Sequence, residues 1–97
     1  MRTETLTFKA IFTDLVRVKG ENFTRAGYYV KSRRPDGLTK TVSSLTPVHN
    51  SEVLEKLKAV KPGDEIEITI ETKWNETGIP QELLAFTVTG QRTQRVA

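Results

Sequence analysis

The chain has 97 residues, 36% of them apolar, with four Phe, two Tyr, one Trp and no cysteine. That length makes one domain with a modest core, and the missing cysteines exclude disulfides, thiolate nucleophiles and cysteine-bound zinc. A net charge of +3 and a pI near 9.4 favour polyanionic partners.

The N-terminal residues lack the apolar core of a signal peptide, and no run approaches membrane-spanning length. A cytoplasmic protein with no membrane partner is therefore expected. The first strand is predicted over Thr3 to Val18, with Leu6, Phe8, Ala10 and Phe12 on one face. After Phe12 the alternation slips, because Leu15, Val16 and Val18 cannot share a face. Either the strand carries a bulge, as at a barrel corner, or two strands meet at a turn around Thr13 and Asp14.

Gly20-Glu21-Asn22 reads as a turn. The second strand, Phe23 to Arg33, turns Ala26, Tyr28 and Val30 inward. Phe23, Arg25, Tyr29, Lys31 and Arg33 alternate onto the outer face. Arg34-Pro35-Asp36-Gly37 has hairpin chemistry, with Pro35 presetting φ and Gly37 accepting a positive one. A third strand, Leu38 to Leu45, is expected to end at Thr46-Pro47. Its facing is ambiguous.

Ser51 to Val60 reads as a short helix capped by Asn50 or Ser51, with Val53, Leu54, Leu57 and Val60 on one stripe. Such a helix can plug the open bottom of a barrel. A tight turn over residues 61–64 launches strict alternation of Ile66, Ile68 and Ile70 with Glu65, Glu67, Thr69 and Glu71, up to Trp74. Residues 75–80 form a polar loop. The fifth strand, Glu82 to Gly90, is expected to bury Leu84, Phe86 and Val88. The order β-β-β-α-β-β predicts a five-stranded Greek-key OB (oligonucleotide/oligosaccharide-binding) barrel over residues 1–90. Residues 91–97 read as a short basic tail.

Catalysis finds little support. His49 is the only histidine, so a histidine-based metal cluster is impossible, and its place beside the helix cap fits a surface role. No enzyme activity and no cofactor are expected. Arg17, Lys19, Arg25, Lys31, Arg33, Arg34 and Lys40 crowd residues 17–40 against only Glu21 and Asp36, whereas acidic residues gather in 52–82. One half of the barrel should be positive and the other neutral or negative.

Single-stranded nucleic acid is held by cations that track phosphates and by rings on which bases stack. Arg25, Tyr29, Lys31 and Arg33 supply both on one strand face. An ordinary solvated face, with Tyr29 lying on aliphatic stems, is the alternative. Trp74, beside Lys73 at a strand tip, can stack on a base or pack against the barrel end or a second subunit, and Phe23 poses the same choice.

The long strand Leu6 to Val18, the turn at Gly20, the strand Phe23 to Arg33, the Leu57-to-Gly63 junction and Trp74-Asn75-Glu76-Thr77-Gly78 resemble the bacterial single-stranded DNA-binding proteins (SSB). They are also similar to the related primosomal replication proteins of the PriB type. The resemblance covers nearly the whole chain. It implies sequence-tolerant binding of single-stranded DNA by a homo-oligomer, in replication, primosome assembly or repair. Phe23, Trp74 and the outer face of the second strand would contact DNA, together with Arg17, Lys19, Arg34 and Lys73. The C-terminal residues are basic where SSB proteins usually carry an acidic tip, and the aromatic set is sparser. Both favour a PriB-like accessory binder, or a truncated domain, over a full SSB, and a dimer over a tetramer. Replication proteins are possible partners. An RNA-binding or protein-interaction β-barrel is the competing class.

Overall fold

The computed structural model describes residues 2–74 and 80–90. In chain order the elements are β1 (Arg2–Arg17), β2 (Thr24–Arg33), β3 (Thr39–Val48), α1 (Ser51–Leu57), β4 (Glu65–Trp74) and β5 (Gln81–Gly90). All pairings are antiparallel in one five-stranded sheet ordered β3-β2-β1-β4-β5. The sheet curls so that β5 meets β3, and α1 packs on both. This is the expected OB barrel.

β1 is one continuous strand that serves both halves. Arg2 to Ile11 pair with β4, Ile11 to Arg17 pair with β2, and the register shifts between Phe12 and Asp14. Thr13 is the extra residue of a bulge, which bends the strand around the corner. Opposite the bulge lies Gly27. A Cβ there would sit 2.5 Å from Asp14 Oδ1 and 2.7 Å from Thr13 Oγ1, so a larger residue would push both bulge side chains aside.

The alternating residues of the sequence fill the interior. Ala10 and Phe12, Ala26 and Tyr28, and Ile66, Ile68 and Ile70 are buried, with Leu57 and Val60 closing one end. Asn50 is the helix cap, its side chain accepting from the backbone N–H groups of Glu52 and Val53. The turn at 61–64 holds because Gly63 adopts φ 97° and donates to the Phe12 carbonyl at 2.8 Å. The buried Asp64 accepts from the Lys61 N–H at 3.0 Å.

Three features differ from expectation beyond a residue at a strand end. The helix stops at Leu57 because Ala59 and Val60 donate to Lys56 and Leu57, three residues back, tightening the last turn. β3 runs through Thr46 and Pro47 to Val48. It is a terminal strand of the ladder, where a proline's missing N–H can face away from the neighbour. In β5 the buried residue is Leu83, whereas Leu84 and Phe86 are half-buried and Val88 is 38% exposed. The register shift between Thr69 and Ile70 explains this: Ile70 pairs with Leu83 and Thr69 with Ala85, leaving Leu84 as a bulge residue. The expected loop over 75–80 (apart from Pro80) and the basic tail over 91–97 lie outside the described residues.

Candidate nucleic-acid interface

The outer face of β2 is built as its alternation predicts. Arg25, Gly27 and Tyr29 stand opposite Pro47, Leu45 and Ser43 of β3 and opposite Val16, Asp14 and Ile11 of β1. Beyond the Ile11–Tyr29 pair, β2 leaves β1 and continues with β3 as a two-stranded arm. Residues 31–43 are all exposed. Lys31 and Arg33 extend the outer face along this arm, and Lys31 Nζ lies 5.9 Å from the Tyr29 ring centre. At the arm's tip Gly37 has φ 87° and donates to the Arg34 carbonyl at 3.0 Å. The Arg34 guanidinium reaches Asp36 at 3.2 Å in an exposed pair.

At the other end of the same face Phe23 stacks obliquely on His49, ring centres 5.0 Å apart. These rings join Arg25, Leu45, Pro47, Pro80 and Gln81 around a groove of about 360 Å³. A second groove of about 220 Å³ continues past His49 to Glu71, Lys73 and Glu82. The β2–β3 face with the loops between β1 and β2 and between β4 and β5 is where barrels of this type hold oligonucleotides.

Arg25 lies in this site but is not free. Its Nε and Nη2 donate to the Glu21 carboxylate at 2.9 and 2.7 Å, and its Nη1 donates to the Leu45 carbonyl at 3.1 Å. Its guanidinium also covers the Phe23 ring at 5.2 Å. Arg25 therefore braces the β1–β2 turn and covers the Phe23 ring. The hydrogen bond from Arg25 holds the Glu21 carboxyl below its ordinary range. A lowered carboxyl pKa stabilises the fold above the ordinary range, and that contribution fades as the pH falls through the lowered value. Arg25→Ala is expected to raise the Glu21 titration back into the ordinary carboxylate range, which an NMR pH titration reads directly.

The remaining expected residues are dispersed. Arg17, at the end of β1, pairs with Thr24 on the face opposite to Arg25, and Lys19 lies in the exposed turn that follows. Lys73 lines the second groove and reaches Glu71 at 3.5 Å. Trp74 alternates with Lys73 onto the face of Ile66, Ile68 and Ile70, where the Arg2 guanidinium covers its ring at 5.1 Å. The structure thus joins Phe23, Arg25, Tyr29, Lys31 and Arg33, adds Lys73 at the margin, and keeps Trp74 away from them. His49, Leu45, Pro47 and Gln81 were missed as site residues. Only their position on the third strand's outer face, or beside the loop before the fifth, could have indicated them.

Charge is segregated on the outer surface. Glu65, Glu67 and Glu71 of β4 share the outer face, with Lys9 across from Glu67 and Lys73 beside Glu71. A phosphate track is attracted to β2 and the arm and repelled by β4. Among the described residues no group of three His, Cys, Asp or Glu side chains could hold a metal ion, and no helix is long and apolar enough to cross a membrane.

No family profile matches the sequence, and no curated protein is significantly similar to it. The fold is similar to two crystal structures of Rim1, the mitochondrial single-stranded DNA-binding protein of S. cerevisiae. One superposes with a TM-score of 0.65 at 15% identity over 96% of this chain and 100% of that one. The other has the same TM-score at 13% identity over 94% and 100%. At these identities the likeness establishes the fold: five strands and a short helix in an OB barrel.

Proposed function

We propose that the chain binds single-stranded DNA with little sequence preference through the outer face of β2 and β3, and that it does so as a homodimer. The observation that carries the reading is the composition of that one face. A half-buried tyrosine ring and the Phe23–His49 ring pair offer surfaces for bases, and Lys31, Arg33 and Arg34 line the arm for phosphates. Similarity in fold to a protein that binds single-stranded DNA supports it. The role is that of an accessory binder in replication, primosome assembly or repair, without enzymatic chemistry.

The dimer reading rests on the edge of β1. Arg2 to Ala10 pair only with β4 among the described residues, and Leu6 beside this edge is 61% exposed. An unpaired edge of this length is a template for a second copy. Sedimentation at micromolar concentration is expected to show a species of twice 11.0 kDa. A lone monomer would exclude the dimer.

Binding itself is tested by fluorescence anisotropy with labelled oligothymidylate. Three or four phosphate contacts predict an affinity loss of roughly 20- to 50-fold between 50 and 200 mM salt. Duplex DNA of equal length should compete poorly, and oligouridylate no better than oligothymidylate. Absence of binding at low salt would falsify the reading, whereas a preference for oligouridylate would redirect it to RNA.

A further inference from the structure

The middle of the outer face carries a feature that a purely electrostatic binder does not need. Above Gly27 the β1 bulge places the Asp14 carboxylate and the Thr13 hydroxyl, which donates to Asp14 Oδ1 at 3.0 Å. Beside them lies a hollow of about 440 Å³ lined by Thr13, Tyr28, Ser43, Ser44 and Leu45. Asp14 is exposed and has no ion-pair partner among the described residues. It lies across the ladder from Gly27, between the Arg25 and Tyr29 positions.

An unpaired carboxylate repels phosphate, so a strand crossing this point must keep its backbone over the cationic arm and turn a base toward Gly27. The hollow suits a base: Leu45 offers an apolar wall and Ser43 a hydroxyl that can donate or accept. An ionised carboxylate only accepts hydrogen bonds. It therefore favours bases with N–H donors on the exposed edge. Guanine presents two, N1–H and the N2 amino group, side by side and matched to two carboxylate oxygens. Cytosine and adenine each present one amino group. Thymine presents a single N–H between two carbonyl oxygens that the carboxylate repels.

We propose that the hollow lined by Thr13, Tyr28, Ser43, Ser44 and Leu45, with the Asp14 carboxylate beside it on the Thr13 hydroxyl, is a base-selecting subsite that favours guanine and disfavours thymine. The subsite rests on the single-strand reading and adds a local preference to it. The test uses labelled thymidine oligomers of about 15 nucleotides, near the upper site size of one such barrel. One set is all thymidine, and the other carries deoxyguanosine at every third position. Wild-type protein is expected to bind the guanine-containing oligomer about tenfold more tightly, the discrimination of a modest base-edge pair.

Asp14→Asn replaces the carboxylate by an amide that both donates and accepts. It should bring the two oligomers to within about twofold by strengthening thymidine binding, with the salt dependence unchanged. Equal binding of the two oligomers by wild-type protein overturns the subsite while leaving single-strand binding intact. So does a guanine preference that persists in Asp14→Asn, or a variant that loses both oligomers alike. Failure of wild-type protein to bind either oligomer at low salt overturns the functional reading and the subsite together.

Discussion

Tyr28→Ala is expected to destabilise the barrel by about 3–5 kcal/mol, the usual cost of removing a buried aromatic ring. Tyr28 is 4% exposed, packs near Phe8 with ring centres 6.0 Å apart, and shares a 2.7 Å hydrogen bond with the buried Thr46 hydroxyl. Chemical denaturation measures the loss. Tyr28→Phe keeps the ring but leaves Thr46 without its partner, at a cost of about 1–3 kcal/mol. Burial also raises the Tyr28 phenol above its ordinary pKa, partly offset by hydrogen bonds from Thr46 and Ser44. A raised pKa on a group that is neutral when protonated gives stability that is complete below the ordinary value. That stability is lost as the pH rises through the raised value. Wild-type protein should therefore weaken above about pH 10, and Tyr28→Phe should show less of this alkaline loss. The adjacent Tyr29 makes the contrast. Its half-buried ring faces outward, so Tyr29→Ala should cost about 1–3 kcal/mol of oligonucleotide binding while the unfolding midpoint moves little.

The second large effect concerns salt. Replacing Lys31, Arg33 and Arg34 together by alanine is expected to weaken oligothymidylate binding at low salt. It should also flatten the log–log salt dependence by about 2, since each phosphate contact on a single strand contributes about 0.7. All three side chains are exposed on the arm. The pair of Arg34 with Asp36 is a surface pair that a phosphate can displace. The hairpin bonds at Arg34 come from its backbone and survive the substitution. Lys40 is the control: it pairs with Ser32, on the opposite face of the arm, and Lys40→Ala alone should change the slope little. Arg25 is left out of the triple variant because its donors are already engaged, so its loss would disturb the fold of the turn as well as the charge. Equal slopes for wild type and the triple variant would move the phosphate track off the arm.

The residues that alternate strictly were legible without any structure. Ile66, Ile68 and Ile70, and Ala26 against Arg25 and Tyr29, carry their facing in their own order, because side chains of a strand point to opposite sides at every step. Gly37 and Gly63 in their turns were equally readable, and the helix cap was narrowed to Asn50 or Ser51, since capping and positive φ are local chemistry. With them came the element order, the barrel, and the cationic face of β2. The slip after Phe12 announced the β1 bulge, although pairing with both β4 and β2 was needed to distinguish a bent strand from two strands.

Tertiary structure decided the rest. Leu83 displaced Leu84 from the core because the bulge in β5 is set by its register on β4, which no residue of β5 encodes alone. Arg25 braces the turn because Glu21 and the Leu45 carbonyl meet its guanidinium across a turn and a neighbouring strand. The groove joins Phe23, His49 and Gln81, and the hollow joins Thr13 to Ser43 and Leu45, from segments far apart in the chain. Alternation and capping are properties of neighbours along the chain and can be read there. A cavity or a committed hydrogen bond is a property of neighbours in space, and arises only when the sheet closes.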